Sequence, residues 1–222
     1  IYIIGIGNDA ELSVECERGN ITIKDSKIRT VNFANLTLSR LNGSWIGDLD
    51  NTNKFFTVWT YQSSATQVNY TNCVFPQGTA AAYPGKTVYT ECNFCNTTDS
   101  NFGLWVYAVG ETIVTDSVFK GNAGLKTYGY ASQTNMNTVI EDTTFEVTKK
   151  PAVVASGLGT IALNNVNTDD CEYGVWETAV VGGNMATVTQ DGEEPVYNAI
   201  CTDKYGSTVY TSSTDYAETV VK

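Results

Sequence analysis

The stretches T-V-Y-T-E-C-N-F (87–94), T-I-V-T-D-S-V-F (112–119) and T-V-I-E-D-T-T-F (138–145) decide the fold. Each runs apolar–x–apolar–x, then polar–small, then x–aromatic. A further copy, V-N-Y-T-N-C-V-F, ends at Phe75, and weaker ones, I-T-I-K-D-S-K-I and I-A-L-N-N-V-N-T, end at Ile28 and Thr168. Alternation with a period of two puts one set of side chains on each face of a strand. A second phrase interleaves with the first: T-V-W-T-Y to Tyr61, A-A-A-Y to Tyr83, G-L-W-V-Y to Tyr107 and G-L-K-T-Y to Tyr128, then A-V-V-A-S to Ser156 and G-V-W-E-T to Thr178. Its middle residues, Trp59, Ala81, Trp105, Lys126, Val154 and Trp176, stand 22, 24, 21, 28 and 22 residues apart. Two or three short strands in a repeat of about 23 residues, with no helical segment, specify a parallel β-solenoid. Identical phrases then stack at roughly 4.8 Å. A propeller blade needs about 40 residues and fits poorly.

Composition agrees. The 222 residues include 31 Thr, 20 Asn, 19 Gly and 13 Tyr but only 4 Pro, a strand-and-turn vocabulary. No window places apolar residues at helical spacing between caps. With 13 Lys+Arg against 24 Asp+Glu the net charge is −11, which argues against nucleic acid as a partner. Histidine is absent, so Ser-His-Asp and Cys-His triads, His-ligated zinc and imidazole bases are excluded. No run of about 18 apolar residues suggests membrane insertion. The chain starts at Ile1 with neither a methionine nor a signal peptide, and reads as a mature form or an excised fragment.

The repeated phrases, with G-L-K-T-Y-G between them, resemble the right-handed parallel β-helix repeat proteins of the pectate-lyase-like superfamily, particularly the repeat regions of bacterial surface proteins. The resemblance covers about residues 10 to 190. It implies an all-β, single-stranded right-handed parallel β-helix of about seven coils of roughly 23 residues. That superfamily holds lyases, hydrolases, tailspikes and adhesins, so the phrase speaks to fold far more than to function. The expected division is a β-helix over 1–192 with irregular N-terminal coils, since 1–19 and 29–54 do not match the phrase. Residues 193–222 then form a C-terminal cap or the start of a following module.

Stacking converts the repeat into columns. Val58, Leu104, Leu125, Val153 and Val175 are expected to face the core. Phe75, Phe94, Phe119 and Phe145 form an internal aromatic spine. Ser26, Cys73, Cys92, Ser117, Thr143 and Val166 make a small column where the wall bends, which places Cys73 and Cys92 on adjacent rungs as buried thiols. Alternation then turns Trp59, Trp105, Lys126, Val154 and Trp176 outward, and with them Tyr61, Tyr83, Tyr107 and Tyr128. Contiguous large rings mark a contact surface for glycan or protein, unless long turns fold over and bury them. Asp25, Asn72, Glu91, Asp116, Asp142 and Asn165 form another column. Glu91, Asp116 and Asp142 would lie about 5 Å apart, near the spacing of a retaining glycosidase pair. Such a ladder would recruit Ca²⁺ if it held any cofactor, while a bend offers the plainer account of Asn and Asp there.

Other chemistry is thin. Cys92-Asn-Phe-Cys95 is formally C-x-x-C but lacks the following helix of a redox motif or a second ligand pair for zinc. Cys16, Cys171 and Cys201 complete the six cysteines without forming a compact disulfide framework. Asn167-Thr168-Asp169-Asp170 is similar to fused N-T-D and D-D motifs of polygalacturonase-like hydrolases, and Leu125-Lys126-Thr127 faintly to their R-I-K motif. Their G-H-G motif is impossible without histidine. A Thr71, Thr90, Thr115 row is broken by Glu141, against an ice-binding face. The five N-x-S/T sequons, at Asn20, Asn35, Asn42, Asn69 and Asn96, carry little information in so Asn- and Thr-rich a chain. The expectation is an extracellular or cell-surface, non-catalytic recognition or adhesion module with no obligatory cofactor, binding glycan or protein through the Trp/Tyr wall. The alternatives are a polysaccharide hydrolase or lyase using Glu91, Asp116 and Asp142, and a self-assembling spacer or filament subunit.

Overall fold

The computed structural model describes residues 12–15, 20–24, 27–28, 31–34, 38–43, 45–46, 56–97, 102–107, 110–129, 136–171, 176–179, 186–193, 199–202 and 208–211. Their regular structure is strand, wound as a parallel β-solenoid with three faces. The long face stacks Asn20–Lys24, Leu38–Asn42, the C-terminal parts of Phe56–Thr71 and Thr79–Thr90, then Glu111–Thr115, Asn137–Glu141, Thr160–Asn164 and Thr187–Gln190. The short face runs Lys27–Ile28, Trp45–Ile46, Val74–Phe75, Asn93–Asn96, Val118–Gly121 and Thr144–Val147. A third face carries the second phrase, in Leu104–Tyr107, Leu125–Gly129 and Val153–Gly157, with Trp176–Ala179 beyond them. The ladders also pass through segments that do not match the phrase, since Leu12–Glu15 pairs with Val31–Ala34.

The bend between long and short faces explains the polar and small columns together. Asn72, Glu91, Asp116, Asp142 and Asn165 have φ of 50, 54, 50, 48 and 50°, the left-handed region. Asn and Asp enter it at low cost, whereas a residue such as Glu enters it reluctantly. The first four keep their place in the ladder while turning. The N–H of Asn72 donates to Thr90 O at 2.9 Å, that of Glu91 to Thr115 O at 3.1 Å, and that of Asp116 to Glu141 O at 3.2 Å. The next residue must be small, because its side chain closes the corner from inside. Cys92 N–H donates to Ser117 Oγ at 3.1 Å, and Ser117 N–H to Thr143 Oγ1 at 3.4 Å. The two hydroxyls donate in turn to Thr115 O at 2.7 Å and Glu141 O at 2.8 Å. Gly43, at φ 60°, makes the same bend in a copy hidden from the phrase, S-R-L-N-G-S-W-I (39–46), in which Leu41 pairs with Tyr70. Asp25 and Ser26 lie outside the described residues.

Inside, the expected spine is present. Phe75, Phe94, Phe119 and Phe145 are fully buried and stack at 5.0, 4.4 and 4.6 Å between centroids, within 9° of parallel. Opposite them the long face buries Tyr70, Tyr89, Val114, Ile140 and Leu163 in one row. The third face adds Leu104, Leu125 and Val153. Asn96 is buried too, so its sequon is closed to glycosylation in the folded chain.

At the C-terminal side the parallel order stops. Asp191 and Gly192, at φ 49 and 85°, form a two-residue hairpin in which Gln190 and Glu193 exchange hydrogen bonds of 2.8 and 2.9 Å. Positive φ at both central residues is the requirement of a type I′ turn. On the third face Thr208–Thr211 pairs antiparallel with Trp176–Ala179, and with Ala199–Thr202 on its other side.

Two outcomes are expected. Glu91→Asn should stabilise the fold by about 0.5–1 kcal/mol, raising Tm by roughly 2–3 °C for a chain of this size, as read by thermal unfolding. Ending the chain at residue 193 strips the edge of Trp176–Ala179, and sedimentation velocity should then show stronger concentration-dependent association than in the full chain.

Candidate functional site

The outward rows of the third face follow a register different from the one that Trp and Tyr resemblance suggests. Trp105 lies opposite Ala80 on one side and Lys126 on the other, and Lys126 opposite Val154. Trp59 lies opposite Ala82, in the row of Tyr107 and Tyr128. The expected Trp59–Trp105 alignment is therefore wrong by two residues. The observed phase puts Phe56, rather than Thr60, in the rows of Leu104 and Val106. Trp176 is off by one: it pairs with Val153, the inward row, and Glu177 pairs with Val154. A one-residue slip exchanges the faces of a strand. The expected phase would have set the Glu177 carboxylate in the core row, where an unpaired charge costs several kcal/mol or more. Tyr61 pairs with Ala34, and Tyr83 has no paired residue in the ladder beside Tyr107. The side chains of Trp59, Tyr61, Tyr83 and Trp176 lie outside the described residues, as do Val175, Cys16 and the Cys201 side chain.

What the register brings together is a compact aromatic and cationic cluster. Trp105, Tyr107, Lys126 and Tyr128 are all half-buried. Tyr107 and Tyr128 stack at 5.7 Å, 5° from parallel, as adjacent rungs of one row must. Trp105 stands edge-on to Tyr107 at 6.3 Å and 85°. Lys126 Nζ lies 5.8 Å from the Trp105 ring centroid and 5.3 Å from that of Phe102, and Lys150 Nζ lies 4.5 Å from Phe102. Such cation–π contacts hold the long lysine stems against the wall. Phe102 and Lys150 come from the corner between short and third faces, which the repeat does not mark.

The wall is open along only part of its length. Val154 and Ser156 continue the two outward rows, yet their exposures are 4 % and 2 %. Val154 stands in an outward row and apart from the buried core cluster, yet it is closed to solvent. Ala80, at the other end of the Trp105 row, is buried in the same way.

The carboxylate column resolves into bends. Glu91, Asp116 and Asp142 are exposed and sit at the left-handed positions described above. Asp142 Oδ1 accepts from Asn165 Nδ2 of the next coil, and Asp191 Oδ1 from the Asn165 N–H at 2.8 Å, so these side chains tie rung to rung. Among the described residues no three His, Cys, Asp or Glu side chains group in a way that would hold a metal ion. In the Asn167–Asp170 run, Asn167 Oδ1 accepts from the Asp169 N–H at 2.9 Å, a local Asx turn. Cys92 and Cys95 point to opposite sides of the wall, the first buried, the second half-buried opposite Lys120. Burial pushes the Cys92 thiol far up, aided by its hydrogen bond with Cys73. The Cys95 and Cys171 thiols are raised by burial as well. At pH 8 Cys73 and Cys92 should therefore resist a thiol-specific disulfide reagent until the chain is unfolded, as counted by thiol release with and without denaturant.

Comparison with protein-family models, with curated proteins and with solved structures finds no match to this chain.

Proposed function

We propose that this chain is a non-catalytic recognition or adhesion module displayed outside the cell, a β-helix of the pectate-lyase-like kind, that contacts its partner through the cluster of Trp105, Tyr107, Lys126 and Tyr128. The observation that carries the reading is that four large side chains share half-exposed positions on adjoining, hydrogen-bonded rungs. A rigid support for amphipathic rings lowers the entropy lost on binding. Between glycan and protein, the ring geometry favours protein. One face of Tyr107 is spent on Tyr128, and Lys126 sits over Trp105. A sugar needs a free ring face, whereas a protein partner makes use of ring edges, hydroxyls and an ammonium group. The enzymatic alternative draws no such support, since bend geometry accounts for Glu91, Asp116 and Asp142.

The test compares wild-type protein with the double variant Trp105→Ala/Tyr107→Ala on a panel of purified extracellular proteins and on a glycan array. The expected result is a loss of about tenfold or more in affinity for a protein ligand, with the strand signature in circular dichroism retained and the chain still folded at the assay temperature. Binding that survives the double variant overturns the assignment, and ligands found only on the array move it to glycan.

A further inference from the structure

One stretch of the lumen gathers hydroxyls that are buried and unpartnered among the described residues. Tyr70 Oη, Tyr89 Oη, Thr79 Oγ1, Thr87 Oγ1 and Thr112 Oγ1 are buried with no hydrogen-bond partner among the described residues. All five lie between residues 70 and 112, on adjoining coils. Further along, the row of Tyr70 and Tyr89 continues as Val114, Ile140 and Leu163. Thr79 likewise stands in a row otherwise filled by Phe56, Leu104, Leu125 and Val153. Buried hydroxyls that lack partners are costly, and a fold keeps them where something completes their bonding.

The spacing identifies what completes it. The Tyr70 and Tyr89 rings stack at 4.8 Å and 6° from parallel, so their hydroxyl oxygens stand about one rung, roughly 5 Å, apart. That is too far for a direct hydrogen bond, whose length is about 2.8 Å between oxygens. It matches two such bonds meeting at about 120° on a single shared atom. Thr87 and Thr112 are also opposite one another on successive rungs, and neither hydroxyl has a partner among the described residues. By contrast, Thr90 and Thr115 on the outer surface of the same two strands bond directly, Oγ1 to Oγ1, at 3.3 Å.

We propose that the lumen between residues 70 and 112 is a binding site for ordered water, with one water bridging the Tyr70 and Tyr89 hydroxyls. A buried water needs room and two to four polar partners. Two phenols supply two, and the small Thr79 and Ala81 on the third face, where later coils carry Leu104 and Val106, leave space. Burial raises both phenols well above their ordinary range, with smaller contributions from Cys73 and Cys92, so the hydroxyls remain neutral and each has a proton to donate.

The experiment uses the full chain and the conservative variants Tyr70→Phe and Tyr89→Phe, with water-oxygen magnetic relaxation dispersion counting long-lived internal waters. Either variant should lose at least one such water, and the folded-to-unfolded ratio in urea should fall about fivefold, the worth of one buried hydrogen bond. A dispersion amplitude unchanged in both variants overturns the proposal. So does a rise in the folded-to-unfolded ratio, which is what removing an unsolvated hydroxyl from a dry core would give.

Discussion

One backbone state governs this fold: the left-handed residue between the long and the short face. A solenoid must turn its chain sharply in every coil without dropping out of the ladder. Asn72, Glu91, Asp116 and Asp142 do both, since each takes a φ near 50° while its N–H still reaches the next coil. Because the bend has the same geometry in each coil, the residue after it always points inward and must be small. The residue two further on always arrives at the same height, which is why four phenylalanines stack within 9° of parallel. A left-handed residue with a β-carbon costs about 1–2 kcal/mol. Each coil offsets it with a ladder bond and a ring stack worth about 0.5–1.5 kcal/mol beyond area burial.

The same constraint decides what could be read from the sequence. Wherever the bend is present its chemistry is visible: a left-handed residue, a small residue, then an aromatic two places on. The phrase therefore places Cys73, Cys92, Ser117 and Thr143 correctly, and Phe75 to Phe145 with them. The copy at 39–46 escapes because Gly43 takes the bend and Ile46 the aromatic position, although Asn42-Gly43-Ser44 is turn chemistry in its own right. The third face has no such anchor. The path from spine to third face is short after Phe75, which reaches Thr79, and long after Phe94, which reaches Leu104. Its phase is left to the balance of side chains, and aligning tryptophans ignores that balance. Phe56 and Glu177 carry the decisive preferences, one for the core rows and one against them.

The candidate site was legible to a similar degree. Alternation places Trp105, Lys126, Tyr107 and Tyr128 in the outward rows, and the register pairs them. Phe102 and Lys150 were missed because they belong to a corner whose length changes from coil to coil. A signal existed only in their types, an aromatic and a cation flanking the wall. The burial of Val154 and Ser156 was not legible at all. Strand pattern reports which way a side chain points, and says nothing of how far its surroundings shield it.

A solenoid separates positions that serve the fold from positions left free by it. Inward and bend residues answer to the coils on either side, so they repeat. Outward rows answer to nothing in the coil, and where they repeat as well they add stability or solubility. The middle row of the long face is of that kind, with Val88, Ile113, Val139 and Ala162, while the rows beside it vary, Lys86 meeting Glu111 in an ion pair at 2.8 Å and Thr115 meeting Glu141. The short face adds the Lys120–Glu146 pair at 3.0 Å. On the third face the row reads Ala80, Trp105, Lys126, Val154 and Glu177, changing size and charge at nearly every rung. A periodic surface presents the same contact at every coil and so has no preferred register for a partner. An aperiodic one offers a single best fit, and specific recognition requires that. The break in periodicity around Trp105 and Lys126 is thus an argument for recognition there that owes nothing to the aromatic content of the wall.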